Sequence, residues 1–303
     1  MHQMLVILPI FKMKYIFFFL SMLTIITLGA CDMKHPPKEV NEDLYYDVLP
    51  DYNSTNTTAP YDFSKYKALL DQANYQYPHA TTIARIGGYE NFKTPQFYAT
   101  QDGDLYFQLD KEFNTIKERS ELRQVVIDSQ SGEYNTSAGW HTSSSEGNFW
   151  IADIHCFKPQ YTQSYTWMQI HGIDGATITL SDGSNVPTFN YPLLRLTWQR
   201  SRTSIYDHIW AVIISSYPRT PKEYLWVDLG KRPDGFFHTQ VSLQNNILQI
   251  SINDTVMISY DVTYWEEEPN YFKAGIYINN FDDGGKAAIA YRELRFEDNA
   301  SKI

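Results

Sequence analysis

Three short stretches of this chain hold side chains able to do chemistry together. In ERSELRQ (Glu118–Gln124), the two-residue period of a strand puts Arg119, Glu121 and Arg123 on one face and Ser120, Leu122 and Gln124 on the other. In WMQIHG (Trp167–Gly172), Trp167, Gln169 and His171 share a face, with Met168 and Ile170 opposite. In YFKAGIYINN (Tyr271–Asn280), Tyr271, Lys273, Gly275, Tyr277 and Asn279 oppose Phe272, Ala274, Ile276 and Ile278. Glu121 can hold the two guanidiniums in place and leave donors free for bidentate contact with an incoming carboxylate. His171 titrates near neutrality without help. Gln169 adds a neutral amide, Tyr277 a phenol and Lys273 a further charge. Combined, these groups could grip a carboxylate and move protons beside it.

Taken singly, each stretch has a plainer account: a salt-bridge ladder, a structural histidine, a packed tyrosine ladder. They gain a joint meaning if the three strands lie side by side and line one groove, and that is the arrangement expected. Gly275, on the face of Tyr277, leaves room for another chain to approach closely.

The rest of the chain is built to supply such strands. Beyond a short helix at Ser64–Gln72, apolar alternation recurs in runs such as Leu105–Leu109, Arg119–Ile127, Thr166–His171, Leu193–Gln199, Phe272–Asn279 and Ala287–Phe296. Turn signals such as Asp102-Gly103, Asn245-Asn246 and Asp283-Gly284-Gly285 separate many of the strand-like runs. The pattern predicts an all-β domain over residues 62–303, a two-sheet antiparallel sandwich or jelly roll. RELR at Arg292–Arg295 echoes SELR but lies in the terminal strand and reads as a decoy.

Residues 1–30 read as a secretory leader whose true start is Met13, with the apolar run Tyr15–Leu28 too short for a comfortable membrane span of ~20 residues. Leu28-Gly29-Ala30-Cys31 has the small residues that precede a lipidated cysteine, so an exported bacterial lipoprotein anchored through Cys31 is expected. A simple leader with a chance cysteine is the alternative. Residues 31–61 are polar, with Pro36-Pro37 and NSTNTT at Asn53–Thr58, and read as a flexible tether. With Cys31 lipidated, Cys156 has no partner, and no disulfide is predicted.

The formal net charge is -10 over 303 residues. Loss of the leader removes Lys12 and Lys14 and no acid, which makes the remainder more negative still. Nucleic acid is a poor partner for such a chain. An acidic polymer would be repelled at long range, but salt shortens that field to ~10 Å, and local arginines then decide binding. The aromatic content, 16%, suits both strands and sugar binding.

The motifs RSELR (Arg119–Arg123), QIH (Gln169–His171) and YFKAGIY (Tyr271–Tyr277), in this order, resemble the alginate lyases of polysaccharide lyase family 7. The resemblance spans most of the chain beyond about Phe92. It implies a concanavalin-like jelly-roll fold of two curved antiparallel sheets, an acidic polysaccharide substrate, no cofactor and no metal; a monomer is expected. It assigns carboxylate binding to Arg119 or Arg123 and Gln169 and proton transfer to His171 and Tyr277, and Lys273 matches the family's lysine; the groove faces of the strands add substrate contacts from Glu121, Asn279, Tyr271 and Trp167. The family usually continues the last motif as Tyr-Asn-Gln. Here it runs Tyr277-Ile278-Asn279, which bears on substrate preference more than on chemistry. The isoleucine of QIH is associated in the family with guluronate-containing substrates.

The implied reaction is β-elimination on a uronic acid polymer. A base removes the C5 proton, alpha to the carboxylate, and the C4–O bond breaks to leave an unsaturated sugar. Donors to the carboxylate must stabilise the charge that develops, and one such donor can contribute roughly 3 kcal/mol. Tyr277, intrinsically near ~10, needs nearby positive charge to serve as a base; as a phenol it could protonate the leaving oxygen. A lyase of another polyuronate such as glucuronan keeps this mechanism, and a non-catalytic polyuronate-binding module keeps only the groove. A retaining glycosidase would need two carboxylates about 5 Å apart, typically alternating on one strand, and no predicted strand carries that arrangement.

Overall fold

Alternation becomes two stacked sheets in the computed structural model, which describes residues 45–127, 134–135, 139–216, 218 and 220–297. In chain order the elements are β1 (Thr57–Thr58), α1 (Ser64–Leu70), β2 (Ala73–Gln76), β3 (Thr82–Ala84), β4 (Phe97–Thr100), β5 (Leu105–Lys111) and β6 (Glu118–Gln124). Next come β7 (Val126–Ile127), β8 (Tyr134–Asn135), β9 (Asn148–Cys156), β10 (Ser164–Gly172), β11 (Thr177–Thr179), β12 (Asn185–Pro187), β13 (Pro192–Arg202) and β14 (Ile205–Ile214). The chain ends through β15 (Tyr224–Lys231), β16 (Phe237–Gln244), β17 (Ile247–Ile252), β18 (Thr255–Asp261), β19 (Asn270–Ile278) and β20 (Gly285–Glu297). One sheet, the back sheet, has the order β1-β4-β5-β20-β9-β16-β17-β18, and the other, the groove sheet, β15-β14-β13-β10-β19-β6-β2-β3. Every strand pair among the described residues is antiparallel, as the sandwich reading requires.

The inner faces of the two sheets supply one apolar core. Leu122, Met168, Ile170, Leu194, Leu196, Phe272, Ala274 and Ile276 enter it from the groove sheet, and Phe107, Trp150, Ile154, Val241 and Ile289 from the back sheet. Fully burying one such aliphatic side chain stabilises by about 1.5–3 kcal/mol. Buried tyrosines take part only because their hydroxyls are satisfied: Tyr66 donates to the carbonyl of Tyr291 at 2.7 Å, Tyr165 to that of Phe157 at 2.7 Å, and Tyr89 to that of Ala73 at 2.9 Å. The helix α1 carries Tyr66, Leu69 and Leu70 on one face at helical spacing, and all three are buried. Cys156 is a buried free thiol packed in the core.

Two expectations need correction. Strict alternation fails at Trp167, where a bulge in β10 breaks the register between Thr166 and Met168 against both neighbouring strands. Trp167 and Met168 therefore both face the core, and Trp167 packs against Trp150 and Phe237 with ring centroids 5.7 Å and 6.3 Å away. The free tether, expected to reach Tyr61, does not include Tyr45–Tyr61. Asp47 exchanges hydrogen bonds with the backbone of Lys158, and Arg232 lies 3.4 Å from its carboxylate. Pro50 accepts from Gln108 at 2.7 Å, and β1 pairs with β4. Polarity of sequence signalled freedom, but these backbone groups find partners on the back sheet. The leader, Cys31 and the remainder of the tether lie outside the described residues.

Candidate active site

The three chemistry-bearing strands are neighbours, with β19 between β10 and β6. Register then sets the pairings: Gln169 opposite Lys273, His171 opposite Tyr271, Lys273 opposite Arg123, and Tyr277 opposite Arg119. Gly275 faces Glu121, with φ of +141°, and a Cβ there would stand 2.2 Å from the carbonyl oxygen of Ser120 and 2.5 Å from the Cα of Glu121. Close approach of β6, which a glycine permits, is what brings Glu121 into the middle of the cluster.

Glu121 is fully buried and serves as a hub. Its Oε2 accepts from the Lys273 ammonium at 2.5 Å and lies 3.4 Å from the Arg119 guanidinium, while Oε1 accepts from the Gln169 amide at 2.6 Å. Lys273 and Gln169 are themselves buried. Burial pushes the Lys273 ammonium down to about 8, against the opposing pull of Glu121. Arg119 stacks on the Tyr277 ring at 4.8 Å, and Arg123 on the Tyr271 ring at 4.3 Å. On the hidden side of the same strand, Ser120 bonds Tyr75, and Gln124 accepts from Trp140, which fixes β6 from beneath.

The two proton-transfer candidates are set in opposite states. His171 Nδ1 donates to the carbonyl of Gly172 at 2.8 Å, which leaves Nε2 as the unprotonated nitrogen. Burial, followed by the charge of Lys273, lowers its pKa to about 3, so the imidazole is neutral across the physiological range. Tyr277 goes the other way. Burial raises the phenol to about 12 and outweighs the lowering by Arg119. The positive charge that sequence reasoning offered to make Tyr277 a base is present, but desolvation wins, and the hydroxyl stays protonated. It donates to Asn279 Oδ1 at 2.8 Å.

Beside Tyr277 the groove deepens into a cavity of about 350 Å³, whose lining includes Thr166, Arg195, Thr197, Gln199, Trp226 and Asn279. Sequence reasoning placed Asn279 on this face but missed the others. The signal was present in PLLRLTWQR, where Leu194, Leu196 and Trp198 alternate with Arg195, Thr197 and Gln199. It becomes readable once β13 is known to flank β10. The decoy RELR sits in β20 of the back sheet, where Arg295 pairs with the exposed carboxylates of Glu293 and Glu297 at 3.3 Å.

An open two-sheet sandwich whose one outer face joins buried cations, a neutral imidazole and a protonated phenol is the frame of a polysaccharide lyase. Residues 60–300 match the alginate lyase family, alginate lyase 2, and the chain belongs to that family. A curated alginate lyase of Photobacterium sp. (strain ATCC 43367) is 28% identical over 153 residues, 44% of this chain and 50% of the relative, so the match spans about half the relative's length. The solved alginate lyase AlyC3 shares the fold at a TM-score of 0.65 with 19% identity, covering 83% of this chain and 99% of AlyC3. The family 7 alginate lyase A1-II', in a complex with product, matches at a TM-score of 0.57 with 19% identity, over 77% of this chain and 98% of the other. The fold is thus the jelly roll that the strand pattern predicted.

Proposed function

We propose that this protein cleaves alginate by β-elimination to give unsaturated oligosaccharides. The observation that carries the reading is the pairing of a neutral His171 with a protonated Tyr277 on adjacent strands around the buried Glu121 cluster. His171 Nε2 takes the C5 proton. Tyr277 gives its proton to the glycosidic oxygen as the C4–O bond breaks, so a C4–C5 double bond forms on one sugar and a new reducing end on the other. Arg119, Gln169 and Arg123 face the carboxylate and stabilise the charge that gathers there, with Lys273 and Glu121 holding the donors in register. Tyr271 supports Arg123 as a wall of the groove. The curated relative is named an alginate lyase, and AlyC3 has a structure in complex with dimannuronate, which supports an alginate substrate.

The test is ultraviolet absorbance from the new double bond, with product masses, on polymannuronate, polyguluronate and glucuronan. Binding without absorbance on all three would make the protein a polyuronate-binding module. Cleavage of glucuronan alone would move it to another polyuronate.

Protonation states set the pH profile. A base of pKa about 3 is already neutral at every pH above that, so kcat/KM should be flat from pH 7 down to about 5. On the alkaline side the rate should fall from about pH 8 upward, as Lys273 loses its proton and Glu121 its counter-charge. His171→Ala should remove ~10²–10⁴-fold of the rate. An acid limb near pH 6.5 would show an ordinary solvated imidazole and overturn the assigned state.

We further propose export and lipid attachment at Cys31, with a monomeric domain held at a membrane surface. The support is the apolar leader with Leu28-Gly29-Ala30 before Cys31. Among the described residues no helix is long and apolar enough to cross a membrane. Cys31→Ser should shift the protein from the membrane to the soluble fraction, and unchanged partitioning rules the anchor out.

A further inference from the structure

We infer that the cavity beside Tyr277 is a second uronate subsite, in which Arg195 grips the carboxylate of the sugar that carries the leaving oxygen and Trp226 packs against its ring. The inference rests on the lyase reading and extends it from one sugar to two.

Position comes first. Arg195 in β13 lies opposite Gln169 in β10, and Thr197 lies opposite Thr166, which in turn faces Tyr277 in β19. Arg195 therefore stands on the strand next to Gln169, a member of the Glu121 cluster, and Tyr277 belongs to both the cluster and the cavity wall. A phenol that protonates the oxygen between two sugars has one sugar on each side. With the sugar that loses its C5 proton over His171 and Glu121, its neighbour falls into the cavity. The volume, about 350 Å³, sits at the small end of the ~300–1,000 Å³ range of ligand pockets.

Chemistry comes second. Lys273 is committed to Glu121, and Arg119, 3.4 Å from the same carboxylate with its Nε unpartnered among the described residues, serves the first sugar. Arg195 has no carboxylate or hydrogen-bond partner among the described residues, and its guanidinium meets the Tyr224 ring at 5.8 Å. It is half-buried, and desolvation lowers its pKa from the ordinary value. A guanidinium that is partly dehydrated and lacks a counter-ion is poised for a bidentate carboxylate. Thr197 gives a second, independent sign. Its hydroxyl is buried, lines the same cavity and has no hydrogen-bond partner among the described residues. Such a group is normally satisfied, and a sugar oxygen would satisfy it. Trp226 is held by Arg202, whose guanidinium stacks on the indole at 3.5 Å. That fixes an aromatic wall for the sugar ring. Because the chain is net acidic, the local cation rather than the long-range field must select the acidic sugar.

The experiment measures binding of a saturated alginate trisaccharide and of its carboxyl-reduced, neutral counterpart by calorimetry. It uses the full chain in a Tyr277→Phe background, which slows turnover by the ~10²–10⁴-fold expected for losing a positioned acid and keeps the ring. Arg195→Ala should weaken the charged sugar about tenfold or more and leave the neutral one unchanged. Arg195→Lys should restore part of the loss, since a point charge replaces the fork. Thr197→Val, which keeps the shape, should weaken binding about threefold with no loss of melting temperature. Unaltered binding of the charged sugar by Arg195→Ala, or equal loss on both sugars, overturns the subsite. The two proposals fail separately. Full cleavage by the otherwise native Arg195→Ala enzyme at unchanged KM keeps the lyase and removes the subsite. Charge-selective binding through Arg195 with no unsaturated product from the wild type keeps the subsite and removes the lyase.

Discussion

Tyr277→Phe should lower kcat on alginate by ~10²–10⁴-fold, the range for losing a positioned acid or base, while leaving the melting temperature within a degree or so. The substitution deletes one oxygen. The ring remains under Arg119, whose guanidinium lies 4.8 Å from the ring centroid, so the packing of β19 against β6 is kept. What disappears is the proton held on the hydroxyl by burial, now pointed at Asn279 Oδ1. KM should change little, because the carboxylate donors are untouched, and the effect should fall on kcat. Steady-state absorbance kinetics with a melting curve are sufficient to check it. A variant retaining more than a tenth of wild-type kcat would strip Tyr277 of its role as acid and pass the leaving-group proton to another donor.

Glu121→Ala should be the most damaging single change to the fold within the groove. It removes the carboxylate on which Lys273, Gln169 and Arg119 converge and strands a buried ammonium without a counter-charge. Breaking a buried pair from one side destabilises by about 3–5 kcal/mol. At roughly 2–4 °C per kcal/mol for a domain of some 150–250 residues, the melting temperature should drop by roughly 6–20 °C. Adding Lys273→Met should recover much of that loss, because the second substitution removes the stranded charge, yet activity should stay absent. The non-additivity of the two melting shifts measures the coupling. If Glu121→Ala melts with the wild type, water reaches the cluster and its rigidity has another source.

The sequence was most legible where one period governs a whole strand. Arg119, Glu121 and Arg123 share the groove face as their alternation required, and Gly275 admits the neighbouring strand for the reason its size suggested. Trp167 was misread because a bulge is a tertiary event: the core beneath β10 takes in both Trp167 and Met168, and no local periodicity announces it. Protonation states were equally out of reach. The residues able to lower the Tyr277 pKa could be named, but the depth of burial that overrides them exists only once the sheet is assembled. Glu268, in a charged run before Pro269 that gives no sign of burial, is buried and accepts from the backbone of Phe189 at 2.8 Å, because the loop folds back onto the domain. Arg195 was invisible as a site residue for a simpler reason. Its strand carries no unusual motif, and its importance comes from which strand lies beside it.

The anchoring of Tyr45–Thr58 has a directional consequence. Leu49 packs against Phe157, Ala288 and Ala290 on the outer face of the back sheet, and Tyr52 meets Tyr98 at 5.3 Å. The cluster around Glu121 and Tyr277 occupies the outer face of the opposite sheet. A domain joined directly at Tyr45 to a bead, a vesicle or a carrier protein would therefore be gripped from behind. Its open face would look away from the support, toward polymer too large to slip underneath.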